Sequence, residues 1–294
     1  MNRSRIIGLL FVAAALLLAG CSALRLGYSN GSQLAWWWLD GYFDFNREQS
    51  VQVKQRIDRW FEWHRASQLP VLASLLTSAQ QQVLDNTTPA KVCAWGEQAR
   101  TALEPALQRA IAEFADIVPL LGEAQFRALQ RKHTKNLDDM RTDFLQLDAA
   151  ERTAATRERA LERFERLYGR LGEAQLRVLT SGLAASPFDP EAWLAERQRR
   201  QADALQTLRR LVTDQADRET RIKALQGVVQ RAETSPSPAY RAYQQRLSEY
   251  NCQFASQLHN ATTATQRQRA RESLQGWEQD LRSLLVVPAP AAPS

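Results

Sequence analysis

The sequence predicts an all-α protein, an elongated multi-helix bundle of about eight to ten helices with no sheet. Three observations carry this. Glycine and proline are sparse, 12 and 11 in 294 residues, while Ala, Leu, Gln, Glu and Arg, all good helix formers, dominate. Apolar residues recur at helical spacing along nearly the whole chain. No run of alternating β-branched residues marks a strand.

The first element lies in Ala35–Phe45, AWWWLDGYFDF. Successive residues of a helix turn by about 100°, so Trp36, Trp37 and Trp38 wrap more than half of its circumference. Core packing is the favoured reading, because the run feeds directly into a capped helix. Contact with lipid headgroups stays open, since Trp is at home at a membrane interface, and a ligand site ranks third. Asp40-Gly41 reads as a helix end or turn. Asn46 then caps a helix in which Val53, Ile57, Trp60, Phe61 and His64 share one face.

Further starts are marked by a capping residue before proline at Thr88-Pro89, Asp189-Pro190 and Ser237-Pro238. Asp148 to Glu151 and Thr263 to Gln266 have capping-box spacing. Leu161, Phe164, Leu167, Tyr168 and Leu171 form another apolar stripe, opposite a face rich in Arg and Glu. A short pattern, L-[TG]-x-A-Q, recurs at Leu76–Gln80, Leu121–Gln125 and Leu171–Gln175, each with a leucine four residues later. Phe45–Gln49, followed by Val53, fits the same template. The second residue acts as cap, the Gln returns a hydrogen bond, and the leading apolar residue staples to the residue after Gln, Phe126 in one copy and Leu176 in another. The copy at Leu76 has Gln81 at the staple position and reads as lying inside a helix. Spacings of 45 and 50 residues are too irregular for a solenoid.

The first twenty residues are of another kind. Arg3 and Arg5 precede a thirteen-residue apolar run, Ile6–Leu18, too short to span a bilayer comfortably and suited to a signal peptide. The run ends in Leu18-Ala19-Gly20-Cys21, which resembles the lipobox of bacterial lipoproteins. That resemblance implies cleavage before Cys21, acylation of its thiol and a stable membrane anchor. Ser22, in place of the inner-membrane retention residue Asp, implies the outer membrane with the chain facing the periplasm. The expected organisation is a signal peptide at 1–20, a lipidated Cys21 and tether at 21–33, a helical periplasmic domain at 34–285 and a Pro/Ala-rich disordered tail at 286–294. No later segment is apolar enough to span.

The chain carries 38 Lys+Arg against 32 Asp+Glu. Without Arg3 and Arg5 the excess is about +4 and interspersed, the pattern of solvated helix faces. Together with the periplasmic address it points away from nucleic acid. With Cys21 assigned to the lipid, Cys93 and Cys252 remain, a pair in an oxidising compartment. They form either a disulfide between an early and a late helix or two separate buried thiols.

No catalytic or metal-binding motif is present, and no cofactor is expected. Asp138-Asp139 point about 100° apart on a helix, a poor metal site. His64, beside Trp60 and Trp63, reads as a packed histidine. His259-Asn260, seven residues after Cys252, has the wrong order for a Cys-His-Asn protease and lacks an oxyanion turn. A non-enzymatic protein is expected. The repeat resembles the LTxxQ motif of the Spy/CpxP periplasmic stress proteins. Tyr28–Asn30, Trp38–Phe45, Trp63–Arg65, Leu69-Pro70 and Cys252 through Thr263 together resemble an uncharacterised family of proteobacterial lipoproteins, which implies no catalytic residue. Two roles follow. One is a structural or protein-docking lipoprotein with an unidentified protein partner. The other is a chaperone-like or amphiphile-binding module, which an exposed concave apolar surface favours.

Overall fold

The computed structural model describes residues 24–146 and 148–285. The expected signal peptide, Cys21 and the expected tail from residue 286 lie outside the described residues. Within them the chain is helical, with no strand. Helical turns at 24–29 lead into α1 (Gly31–Phe43), α2 (Arg47–Ser67), α3 (Leu69–Gln82) and α4 (Pro89–Ala115). A 3-10 turn at Val118–Leu120 precedes α5 (Glu123–Phe144), α6 (Ala149–Tyr168), α7 (Glu173–Ala184) and α8 (Pro190–Thr213). The chain closes with α9 (Arg218–Glu233), α10 (Pro238–Asn260) and α11 (Ala264–Ser283).

Eleven α-helices among the described residues exceed the expected eight to ten. One reason lies at Gln68, which separates α2 from α3 with helical backbone angles and no side-chain cap, so no cap signature announces that break. Two boundaries also move. Residues 24–29, inside the segment expected as a tether, are already helical, and Tyr28 there packs edge-on against Phe61 with its hydroxyl 2.9 Å from His64 Nδ1. Asp40-Gly41 lies within α1 rather than ending it. The helix runs on to Phe43 and is stopped by Asp44, which takes the left-handed conformation (φ 53°) tolerated by Asp. Asp40 serves that stop: its carbonyl accepts from Asp44 N–H and its carboxylate accepts from Phe45 N–H.

Thr88, Asp148, Asp189, Ser237 and Thr263 each accept a backbone N–H at a helix start. Asp148 bonds Ala150 N–H. The Leu76–Gln80 copy of the repeat lies inside α3.

The other copies do more than cap. Four helix starts carry a Gln at the third position that bonds back to the cap N–H, and they meet in two pairs. At α2 and α5, Gln49 Oε1 accepts from Asn46 N–H and Gln125 Oε1 from Gly122 N–H. Each carboxamide N–H2 then crosses over: Gln49 donates to Leu120 O and Gln125 to Asp44 O, each two residues before the other helix's cap. At α7 and α11 the arrangement repeats. Gln175 and Gln266 accept from Gly172 and Thr263, then donate to Ala261 O and Arg170 O. In both pairs the glycine-capped Gln also donates to its partner's Oε1 at 3.2 Å. Because the carboxamide oxygen must receive the cap N–H, the orientation of each amide is fixed by its partners. Gly122 and Gly172 have no side chain to complete a box, so there the Gln supplies the only side-chain half. Four residues after each Gln stand Val53, Leu129, Leu179 and Ala270, none more than 4% exposed.

Each pair adjoins an apolar cluster. The larger holds Phe43, Phe45, Ile111, Phe126, Leu208 and Leu225 among others, drawn from α1, α2, α4, α5, α8 and α9. The smaller centres on Tyr168, Leu171 and Ala270, with Phe164 and Leu176 against it. The 27-residue α4, about 40 Å long, packs on α2 and α9 and also on α10. Its contact with α10 is locked by the Cys93–Cys252 disulfide (Cα–Cα 5.5 Å), which spans 159 residues. A cross-link over so long a loop strongly restricts the unfolded chain. The double variant Cys93→Ala/Cys252→Ala should lose roughly 2–5 kcal/mol of unfolding free energy in urea; an unchanged midpoint would refute this role.

Candidate functional site

The residues of the aromatic run go different ways. Trp36 points inward, 8% exposed, stacked on Phe45 with Lys54 Nζ 4.7 Å from its ring centre. Trp37 and Trp38 remain 62% and 64% exposed. Core packing of all three tryptophans is therefore corrected: the 100° step lets α1 bury one of them, and among the described residues nothing covers Trp37 and Trp38.

Trp38 borders an apolar cavity of about 580 Å³. This is within the usual size of a small-molecule site, roughly 300–1,000 Å³. Five helices wall it. α1 supplies Trp38 and Leu39, α2 Ile57 and Trp60, α4 Leu107 and Phe114, α8 Leu208, and α9 Leu225 and Val229. Ala35, Ala110 and Ala204 stand where larger side chains would fill the space. The Trp60 indole N–H, the wall's one aromatic donor besides that of Trp38, is satisfied by Ala106 O at 3.0 Å. The lining is otherwise aliphatic or aromatic, except for Arg56 and Glu113.

Those two belong to a charged edge. Arg56 pairs with Glu113 (3.4 Å) and Asp116, Arg109 with Glu113 (2.8 Å), Arg59 with Glu113 (3.6 Å) and Arg218 with Asp116 (2.9 Å). Two carboxylates thus sit among four guanidiniums, and of these six groups Arg56 and Glu113 reach the cavity lining. Such an arrangement can hold a hydrocarbon chain and set an anionic group beside Arg56. It offers no nucleophile beside a base.

The other candidate residues lie apart from the cavity or play supporting parts. Asp138 and Asp139 pair at the surface with Arg141 and Lys135, and no group of three metal-ligating side chains occurs among the described residues. His64 stacks on Trp60 behind the cavity wall. His259 is held at both nitrogens, Nδ1 2.7 Å from the Tyr168 hydroxyl and Nε2 2.7 Å from Asp85 O. The carbonyl requires Nε2–H, so Nδ1 accepts from Tyr168, whose own hydroxyl is pushed up to about 12 by burial. The cavity wall from α4, α8 and α9 was not identified from sequence. Its apolar spacing is that of any core face, and only assembly shows that these faces leave space between them.

A model of a family of unknown function, DUF6279, matches residues 41–241. The chain belongs to the DUF6279 family. The match runs from the end of α1 into the start of α10 and takes in nearly the whole cavity wall. Comparison of this DUF6279 chain with curated proteins and with solved structures finds no match.

Burial lowers His64 and His259 below the ordinary value of 6.5. Such a histidine is protonated first in the unfolded chain. Its contribution to stability is full above 6.5 and is lost as pH falls through that value. The urea midpoint should therefore fall between about pH 7 and pH 5. His64→Gln/His259→Gln should flatten that decline, and an equally steep decline in the variant would contradict the assignment.

Proposed function

We propose that this protein is an outer-membrane-anchored lipoprotein facing the periplasm, whose helical domain binds an amphiphile. The observation that carries the binding role is the apolar cavity with Arg56 at its edge. Of the two roles the sequence allows, protein docking and amphiphile binding, a concave apolar surface of this size favours the second.

The address rests on the sequence: Arg3 and Arg5, the apolar run, Leu18–Cys21 and Ser22. No described helix is long and apolar enough to cross a membrane, so attachment in this reading falls to the acyl chains on Cys21. The Gln that recurs at four helix starts is in keeping with the resemblance to the LTxxQ motif of Spy/CpxP proteins. In this reading the protein is not an enzyme. It holds the hydrocarbon part of its ligand among Leu39, Ile57, Phe114 and Leu208 and the anionic part beside Arg56.

The test is binding of a fluorescent long-chain fatty acid by the purified protein in solution. Saturable binding is expected. Ala110→Trp, which fills the cavity, should weaken it at least tenfold, about 1.4 kcal/mol, while helix content by circular dichroism is kept. Equal binding by the variant, or none by the wild type, would overturn the reading.

A further inference from the structure

α1 is apolar on both sides. Trp36 and Phe43 bury one side in the larger core. With the turns before it, the other side carries Leu24, Leu26, Leu34, Trp37 and Trp38, all classed as exposed. Successive 100° steps place these five within one arc of about 160°. The remaining described residues on that arc are Gly27, Asn30 and Gly41, with Gly31 and Tyr42 at the edge where it turns toward the protein. No charge falls on it, and the Asn30 amide turns back onto Leu26 O at 2.9 Å. These five make up half of the large apolar side chains left exposed among the described residues. A helix that is apolar all round is normally covered on every side.

Chain position indicates what covers this one. Residue 24 is three residues beyond Cys21, at most about 10 Å of extended chain. The face therefore lies beside the bilayer that holds the anchor. Its composition, two tryptophans among leucines, is that of a membrane-interface surface. Trp38 is at once part of this face and part of the cavity lining, and Ala35 and Leu39 continue that lining beside it. Gly31 lets the helix lie close on α2, since a Cβ there would fall 2.5 Å from the Phe61 ring, and this sets the open face beside the cavity's edge.

We propose that the outward face of α1 rests in the interfacial layer of the phospholipid bilayer and turns the cavity mouth at Trp38 toward it, so that the cavity receives a phospholipid acyl chain from the membrane. This rests on the anchored, amphiphile-binding reading above and adds the source and route of the ligand. The lipid anchor holds the protein at the surface, and the aromatic face fixes its orientation.

The test uses the mature protein purified from membranes and reconstituted into phosphatidylethanolamine/phosphatidylglycerol vesicles whose acyl chains carry bromine, a short-range quencher of tryptophan. Docking predicts loss of about a quarter of the emission, the share of two tryptophans among eight. Trp37→Phe/Trp38→Phe should remove that loss while preserving circular dichroism, whereas Trp36→Phe should retain it. Vesicle-bound wild type that stays unquenched, or a double variant quenched as strongly as wild type, overturns the proposal. So does burial of the face in a dimer with Trp37 and Trp38 unquenched. The mass of Cys21 and fatty-acid binding in solution separate the two levels. An acylated, ligand-binding protein with unquenched tryptophans contradicts the docking alone. Quenching without acylation contradicts the anchor and supports the docking.

Discussion

Two pairs of glutamine side chains tie this helical chain together. Gln49 with Gln125, and Gln175 with Gln266, each complete one helix start and at the same time clamp the loop that leads into another. The four groups involved, two loop carbonyls and two cap N–H groups, are those that helix ends leave without partners. Gln125 and Gln175 are themselves buried and need internal partners, because a buried unpaired amide or carbonyl costs about 1–3 kcal/mol. Placing a carboxamide at the third position satisfies one group of each kind with a single side chain. Facing two such starts satisfies all four.

This constraint positions the cavity. Gln125 holds the carbonyl of Asp44, the residue that stops α1, while Gln49 holds Leu120 in the turn between α4 and α5. The end of α1 is thereby fixed relative to α2, α4 and α5, and Trp36, Phe43 and Phe45 are drawn into the larger core. The preceding turns of α1 extend past that core along α2, with Ala35, Trp38 and Leu39 over space that α8 and α9 do not fill. The second pair lies in the other apolar cluster and holds α7 and α11 together. The disulfide adds a covalent tie between α4 and α10. The outward face of α1 and the cavity thus have a common origin in how the helix is held by its end.

The local part of this design was legible in the sequence because it is written in short spacings. A cap three residues before Gln, and an apolar residue four after it, could be read at Asn46, Gly122 and Gly172, and the box at Thr263 was equally plain. The all-helical fold followed from the same kind of evidence. The pairing of the starts was not legible, since nothing local says that the loop before Gly172 meets the one before Thr263, some 90 residues away. The break at Gln68 carries no cap, and Asp40-Gly41 resembled a helix end although Asp40 acts from within the helix as its terminator. The tryptophans show the limit most clearly. Periodicity established that all three could not share one face, but which of them is covered depends on α2 and α5. The cavity was illegible for a like reason, because a wall of Leu, Ile and Phe has the same spacing whether it meets another helix or encloses space.

The most direct measurement is a double-mutant cycle in urea on Gln49→Ala, Gln125→Ala and the two together. If the glutamines act as one reciprocal clamp, removing either strands part of the other's network. The double variant should then be more stable than the sum of the single losses implies, with a coupling of about 1 kcal/mol or more. Additive losses, with coupling near zero, would mean that each Gln is an ordinary cap and that the paired starts do not hold the fold.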